Sequence, residues 1–221
     1  LQELELTDSV PGQVTALDSN GDELTDRLYF VDARGQLWRV DLSDDQFPSS
    51  TQDSWKIIKM ADLNGATAAT DRRFFNAPDV VRIRIDAKAI DVVLIGSGDR
   101  SNPNATDVEN RFYMIRDEQT TPYITSQPTS VDCAATPPLD DFRCQLPLSD
   151  SDLFDISSNV LYEGTDSEKD IASTTLAAAN GWRLDLASSG EKSLSKSLTI
   201  NGKVFFTTFV PNGVLTNINI C

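Results

Sequence analysis

Apolar residues in this chain fall mainly in short runs broken by polar ones, the period of a strand rather than of a helix. VVRIRI (Val80–Ile85) alternates strictly, and QVTAL (Gln13–Leu17) does so more weakly. RLYFVD (Arg27–Asp32) and QLWRVDL (Gln36–Leu42) are separated by ARG (Ala33–Gly35), a short glycine-containing link that predicts a hairpin. AIDVVLIGSG (Ala89–Gly98) predicts a buried strand ending in glycines, and NRFYMIRD (Asn110–Asp117) predicts another strand. KSLTI (Lys196–Ile200) and KVFFTTFV (Lys203–Val210) meet at Asn201–Gly202, a strong hairpin signal. Helical signals are few. SEKDIASTTLAAANG (Ser167–Gly181) has a helix-favouring middle and a glycine placed as a stop, and Pro78 in NAPDV can start a turn. The fold class is therefore mainly all-β, with few short helices.

One pattern recurs loosely. LYFVD, LWRVDL, FYMIRD and WRLDL, near residues 28, 37, 112 and 182, each set an aromatic before an apolar residue and then Asp. Unequal gaps between them are compatible with loop insertions in a radial repeat such as a β-propeller, although amphipathic strands of any all-β protein look similar. From Thr120 to Asp155 the chain reads as a loop, with Pro122, Pro128, Pro137, Pro138 and Pro147. Cys133 and Cys144 lie inside it, and a disulfide between them would close a short loop worth about 3 kcal/mol in the chain-entropy model. Two unrelated buried thiols are the alternative. An oxidised pair implies the periplasm or cell surface. Cys221 is free or pairs outside the chain.

Composition then narrows the function. Among 221 residues, Lys plus Arg count 19 and Asp plus Glu count 34, a net charge of −15. That charge argues against nucleic acid and against docking on anionic lipid. Histidine is absent, which removes Ser-His-Asp, Cys-His and His-metal arrangements together. No apolar run approaches a membrane span, and the acidic opening LQELEL does not read as a signal peptide.

The acidic residues are not spread evenly. LDSNGDELTDRLYF (Leu17–Phe30) places Asp18, Asn20, Asp22 and Asp26 at positions 1, 3, 5 and 9 of a loop spanning 18–26, with Leu24 at position 7. Alternate side chains converge on one cation if the chain curls, and the Leu24 carbonyl adds a further oxygen. Such an all-oxygen set suits Ca²⁺ far better than Zn²⁺ or Cu²⁺. The loop departs from an EF-hand, with Glu23 at position 6 instead of Gly and Tyr29 at position 12 instead of Glu. Asp26 is expected to do the late-position work in this shorter loop. Strand-like flanks exclude a swinging helix pair, so the ion would fix a strand–loop–strand corner. A solvated Asp/Asn/Gly turn is the plainer alternative.

This loop, followed by RLYFVDARGQLWRVDL, resembles the C-terminal domain of the PilY family of type IV pilus biogenesis factors and tip adhesins. RFFNAPDV (Arg73–Val80), VLIGSGDRSNP (Val93–Pro103) joined to NRFYMIRD, and GWRLDLASSGEKSLSKSLTINGKVFFTTFVP (Gly181–Pro211) follow in the family's order. The resemblance implies a modified β-propeller built of antiparallel hairpins, of which residues 1–221 form a part, and it implies no catalysis. It implies a calcium site at Asp18, Asn20, Asp22, Asp26 and the Leu24 carbonyl. It further implies a place at the bacterial surface or pilus tip, partners among minor pilins and tip components, and contact with a host or abiotic surface. Calcium occupancy there would set pilus extension against retraction, and with it twitching motility and adhesion. The chain reads as a fragment of the longer family domain.

Other candidates are weaker. GSGDR (Gly96–Arg100) lacks the spacing of a nucleotide-binding loop and reads as a strand-end turn. Asp150, Asp152 and Asp155 in SDSDLFD offer a second cation site or a solvated acidic loop. Asn104–Thr106 matches a glycosylation sequon, and Trp38 and Trp182 read as core residues. Two other functions remain as alternatives: a calcium-stabilised structural module without regulation, and a quinoprotein-like propeller enzyme.

Overall fold

The computed structural model describes residues 6–42, 55–85, 88–120 and 146–211. Cys133, Cys144 and Cys221, and with them the expected disulfide, lie outside the described residues. Strands β1 (Thr15–Leu17), β2 (Arg27–Val31), β3 (Gln36–Asp41) and β4 (Lys56–Asp62) form one antiparallel sheet in chain order. A second sheet takes β5 (Asp79–Ile85), β6 (Lys88–Gly96), β7 (Arg111–Asp117), β8 (Phe154–Asp155) and β9 (Gly181–Asp185) in the order β5-β6-β7-β9-β8. Its only parallel pairing among the described residues is β8 with β9. Helices α1 (Val160–Glu163) and α2 (Asp166–Ala178) lie between those two strands in the chain. Strand β10 (Lys192–Ser193) pairs with β13 (Thr208–Phe209), and β11 (Leu198–Ile200) pairs with β12 (Lys203–Phe205). The architecture is mostly β with few helices, and the sheets are open.

Alternation explains the layering. Tyr29, Val31 and Leu37 of the first sheet meet Val93, Ile95, Tyr113 and Ile115 of the second in one buried cluster, with Met60, Ala61, Phe74 and Leu148. Val92, Leu94 and Phe112 point the other way and form a smaller cluster with Trp182, Val204 and Phe206. Trp38 is buried, stacks on Phe30 at 6.2 Å and donates its indole N–H to Asp32 at 2.9 Å.

Three elements differ from their sequence readings. KVFFTTFV is not one strand: Lys203–Phe205 pairs with β11, and Thr208–Phe209 leaves for β10. Gly181 does not stop the helix. Helix α2 is opened by a capping box of Thr165 and Glu168 and ends at Ala178. Gly181 instead starts β9 at φ 148°, where a Cβ would lie 1.9 Å from the Met114 carbonyl oxygen. Within the 120–155 stretch read as loop, Leu148 bridges Ala61 in parallel and Phe154–Asp155 is β8.

Candidate metal site

The 18–26 loop joins β1 to β2, and its ends are pinned by backbone bonds. Asp26 N–H donates to the Leu17 carbonyl at 3.1 Å, and Leu42 N–H donates to the Asp26 carbonyl at 2.7 Å. Between these points the side chains fold the backbone into successive Asx turns. Asp18 accepts N–H bonds from Gly21 at 2.6 Å and Glu23 at 2.9 Å. Asn20 accepts from Asp22 N–H at 2.9 Å and donates from Nδ2 to Asp22 Oδ2 at 3.0 Å. Asp22 Oδ1 accepts from Leu24 N–H at 2.8 Å. The N–H of Gly21, then those of Glu23, Asn20 and Asp22, hold the Asp18 carboxyl below the usual carboxylate range. Gly21 and Glu23 both sit at positive φ, 85° and 71°. The left-handed turn that an EF-hand gives to Gly at position 6 is thus present here, carried by Glu23.

Asp26 differs from the other acidic residues. It is 3% exposed, whereas Asp18, Asn20 and Asp22 are exposed. Its Oδ2 accepts from Ser19 N–H and Ser19 Oγ, both at 2.6 Å. Its Oδ1 is buried and has no hydrogen-bond partner among the described residues. Leaving a buried carboxylate oxygen unpaired is costly, and natural sites that do so commonly take a water or an ion. The donor set therefore fits a hard cation in chemistry. Among the described residues no three His, Cys, Asp or Glu side chains gather closely enough to hold one. The oxygens of Asp18, Asn20 and Asp22 accept backbone N–H groups, yet a carboxylate oxygen keeps lone pairs for a second partner.

The loop is tied to a group of buried charges that the sequence reading missed. Arg82 donates to the Ser19 carbonyl and to both oxygens of Asp91, at 2.8 and 3.0 Å. Asp91 also pairs with Arg27 at 2.5 Å, and Arg27 with Asp41 at 3.1 Å. Arg39 joins Asp41 at 2.8 Å to Asp117 at 2.7 Å, and Tyr29 Oη donates to Asp117 at 2.6 Å. Register accounts for the assembly. Arg27 lies opposite Asp41 and Tyr29 opposite Arg39 across β2–β3, while Asp91 lies opposite Asp117 across β6–β7. Among the described residues three arginines (Arg27, Arg39, Arg82) meet three aspartates (Asp41, Asp91, Asp117), so their charges balance, 3 − 3 = 0. Burial works against the Arg27 charge, but the hydroxyl of Tyr29 and the carboxylates of Asp117, Asp41 and Asp91 outweigh it and raise its pKa. Burial, then the Asp117 charge, pushes the Tyr29 hydroxyl well above its ordinary value. The signal for this cluster lay in the recurring aromatic–apolar–Asp pattern, whose Asp41 and Asp117 belong to it.

The other acidic run is divided among separate tasks. Asp150 pairs with Arg72 at 3.0 Å and with Arg111, Asp152 accepts from Ser149 N–H at 2.7 Å, and Asp155 pairs with Arg183 at 2.9 Å. GSGDR is a strand-end turn, as its composition predicts. Its glycines admit β10, since a Cβ on Gly96 would lie 2.3 Å from Ser193 Cβ and one on Gly98 would lie 2.7 Å from Lys192 Cβ.

No protein-family model matches the sequence, and no curated protein matches it. Among solved structures, the crystal structure of the Pseudomonas aeruginosa PilY1 C-terminal domain is similar, at 19% identity and a TM-score of 0.56 over 90% of this chain. The chain spans 44% of that structure. Over nine-tenths of its length, then, this chain has the fold of part of the PilY1 C-terminal domain.

Proposed function

We propose that this chain is a non-catalytic, calcium-binding part of a type IV pilus-associated surface protein. Its two main sheets would be successive blades of a modified propeller. In this reading Asp18, Asn20, Asp22, Asp26 and the Leu24 carbonyl hold one Ca²⁺. Occupancy then biases pilus extension against retraction, and through it twitching and surface adhesion. The partners are minor pilins and other tip components, and the location is extracellular.

The observation that carries the calcium reading is the buried, unpartnered Asp26 Oδ1 at the base of an otherwise exposed oxygen-rich loop. The left-handed turn at Glu23 supports it. The Arg82 bond to the Ser19 carbonyl supports a regulatory role, because it makes the loop's shape part of the packing between sheets. The pilus assignment rests on the shared fold.

Calorimetry of Ca²⁺ with the wild-type chain and with Asp22→Ala tests the site. Uptake of one ion, lost in Asp22→Ala, is the expected result. Absence of uptake at about 1 mM calcium, the weak end for extracellular modules, would overturn it. Pilus retraction in cells carrying Asp22→Ala in the full-length protein tests the regulatory step separately.

A further inference from the structure

We propose that this chain associates head-to-tail with a second copy of itself, the outer face of the β11–β12 hairpin in one copy docking on the α1–α2 pair of the next. The hairpin carries apolar residues on both faces. Register puts Leu198 opposite Phe205 and Ile200 opposite Lys203 on one face, and Thr199 opposite Val204 on the other. The inner face is used: Val204 packs on the Val92–Leu94–Phe112 cluster, and Thr199 Oγ1 donates to Asp79 at 2.8 Å. The outer face is open, with Leu198 56%, Phe205 55% and Ile200 49% exposed. Phe209 and Val210, a few residues further along the chain, are also exposed. Single exposed apolar residues need no explanation, but Leu198, Ile200 and Phe205 share one face of a strand pair and form a patch.

Charge selects the occupant. Residues 192–211 contain no Asp or Glu and three lysines, of which Lys196 and Lys203 flank the open face, in a chain of net charge −15. A symmetric contact would set lysine against lysine with no acid to answer it. The α1–α2 pair is the complementary surface. It exposes Tyr162 (81%) and Ile171 (65%), and α2 buries only Ala172. Across residues 160–178 Glu163, Asp166, Glu168 and Asp170 stand against Lys169, a net of 1 − 4 = −3. An apolar face flanked by lysines thus has, on the same molecule, an acidic helix pair with Tyr162 and Ile171 exposed to meet.

Placement makes the contact intermolecular. The hairpin is tied to β5 at one edge of the five-stranded sheet through Thr199 and Asp79. The helices belong to the connection between β8 and β9, held where Arg116 of β7 donates to the Ala177 and Ala179 carbonyls at 2.9 and 3.0 Å. Both surfaces stay exposed in the same molecule, so neither covers the other, and two different patches give a heterologous contact, which propagates into rings or open rows instead of stopping at a dimer.

The test is sedimentation velocity on the 221-residue chain in calcium-free buffer. One variant carries Leu198→Ser with Phe205→Ser, and another carries Tyr162→Ser with Ile171→Ser. Both alter exposed side chains, and an unchanged thermal transition in each verifies the fold. The wild type is expected to form oligomers that grow beyond dimers with concentration. Each variant alone is expected to associate about tenfold more weakly or less, the scale of losing a contact hot spot. Mixed together, the two variants retain one intact hairpin and one intact helix pair, and should form a dimer and nothing larger. A wild-type chain that stays monomeric overturns the proposal, as does association that survives both variants or a mixture that stays monomeric.

Discussion

At the scale of single residues, the loop and the buried cluster behave in opposite ways toward sequence reading. Asp18, Asn20 and Asp22 were legible because Asp, Asn and Gly at alternate positions encode turns locally, and those turns are present. Arg27, Arg39, Asp41, Asp91 and Asp117 were not. A charged residue in a strand reads as solvent-facing, and only the meeting of two sheets makes it internal. Glu23 at φ 71° is strained in a way glycine is not. Glu23→Gly is expected to leave the folded loop unchanged and to stabilise the chain by about 1 kcal/mol, the left-handed penalty of a non-glycine residue. A denaturant midpoint equal to or below wild type would refute it. Inside the cluster, substitutions at Tyr29 and Asp117 separate hydrogen bonding from charge. Tyr29→Phe removes one bond and should cost about 1–2 kcal/mol. Asp117→Ala takes from the buried Arg39 a carboxylate that it meets at 2.7 Å and should cost about 3–5 kcal/mol. Equal losses in urea unfolding would mean that the buried charges are not balanced as the geometry has them.

At the scale of elements, hairpins were read well and strand ends poorly. The Asn201–Gly202 turn and the 33–35 link stand where their residues predict them. The division of KVFFTTFV into β12 and β13 was hidden because its apolar run is continuous, and only the partners β11 and β10 break it. Gly181 was misassigned because a glycine after a helix reads as a cap, whereas its constraint is the Met114 carbonyl in the neighbouring strand. Gly96 has a similar origin. It closes β6 where Ser193 of β10 crosses, so Gly96→Ala must push the two strands apart. The expected loss is about 1–3 kcal/mol, the range for overpacking a core. Faster amide exchange across Lys192–Ser193 should accompany it, while exchange in the first sheet stays at the wild-type rate. Uniform loss of protection would place the effect elsewhere.

At the scale of the whole molecule, the sheet order was beyond the sequence. The parallel approach of β8 to β9 follows a long proline-rich stretch, and no local pattern reports on it. Charge also acts globally. Asp99, Asp155 and Glu191 are pushed up by burial but pulled below their ordinary values of 3.8, 3.8 and 4.5 by hydrogen bonds from Ser101, Ser157, Thr208 and Ser188. A folded pKa below the unfolded one gives stability that is full above the unfolded value and lost as pH falls through the folded one. Asp18 and Glu168 are likewise held down by hydrogen bonds, whereas Asp117 runs the other way, lifted by burial against the pull of Arg39. Unfolding free energy should be flat down to about pH 5 and fall below about pH 4; a rise on acidification would reverse the assignment. Calcium provides the last test, because Arg82 is shared between the loop and the cluster. An ion at about 100 times its Kd adds about 2.7 kcal/mol, a rise of roughly 5–11 °C in Tm for a chain of this size. Asp22 is exposed, so Asp22→Ala should abolish that rise while leaving the calcium-free Tm near wild type. Arg82→Ala keeps every proposed ligand but frees the Ser19 carbonyl and removes one partner of Asp91. It should lower the calcium-free Tm and weaken calcium binding severalfold together. If Arg82→Ala lowers the Tm with affinity unchanged, the loop binds its ion without reference to the packing of the sheets, and calcium has no route through Arg82 to the rest of the molecule.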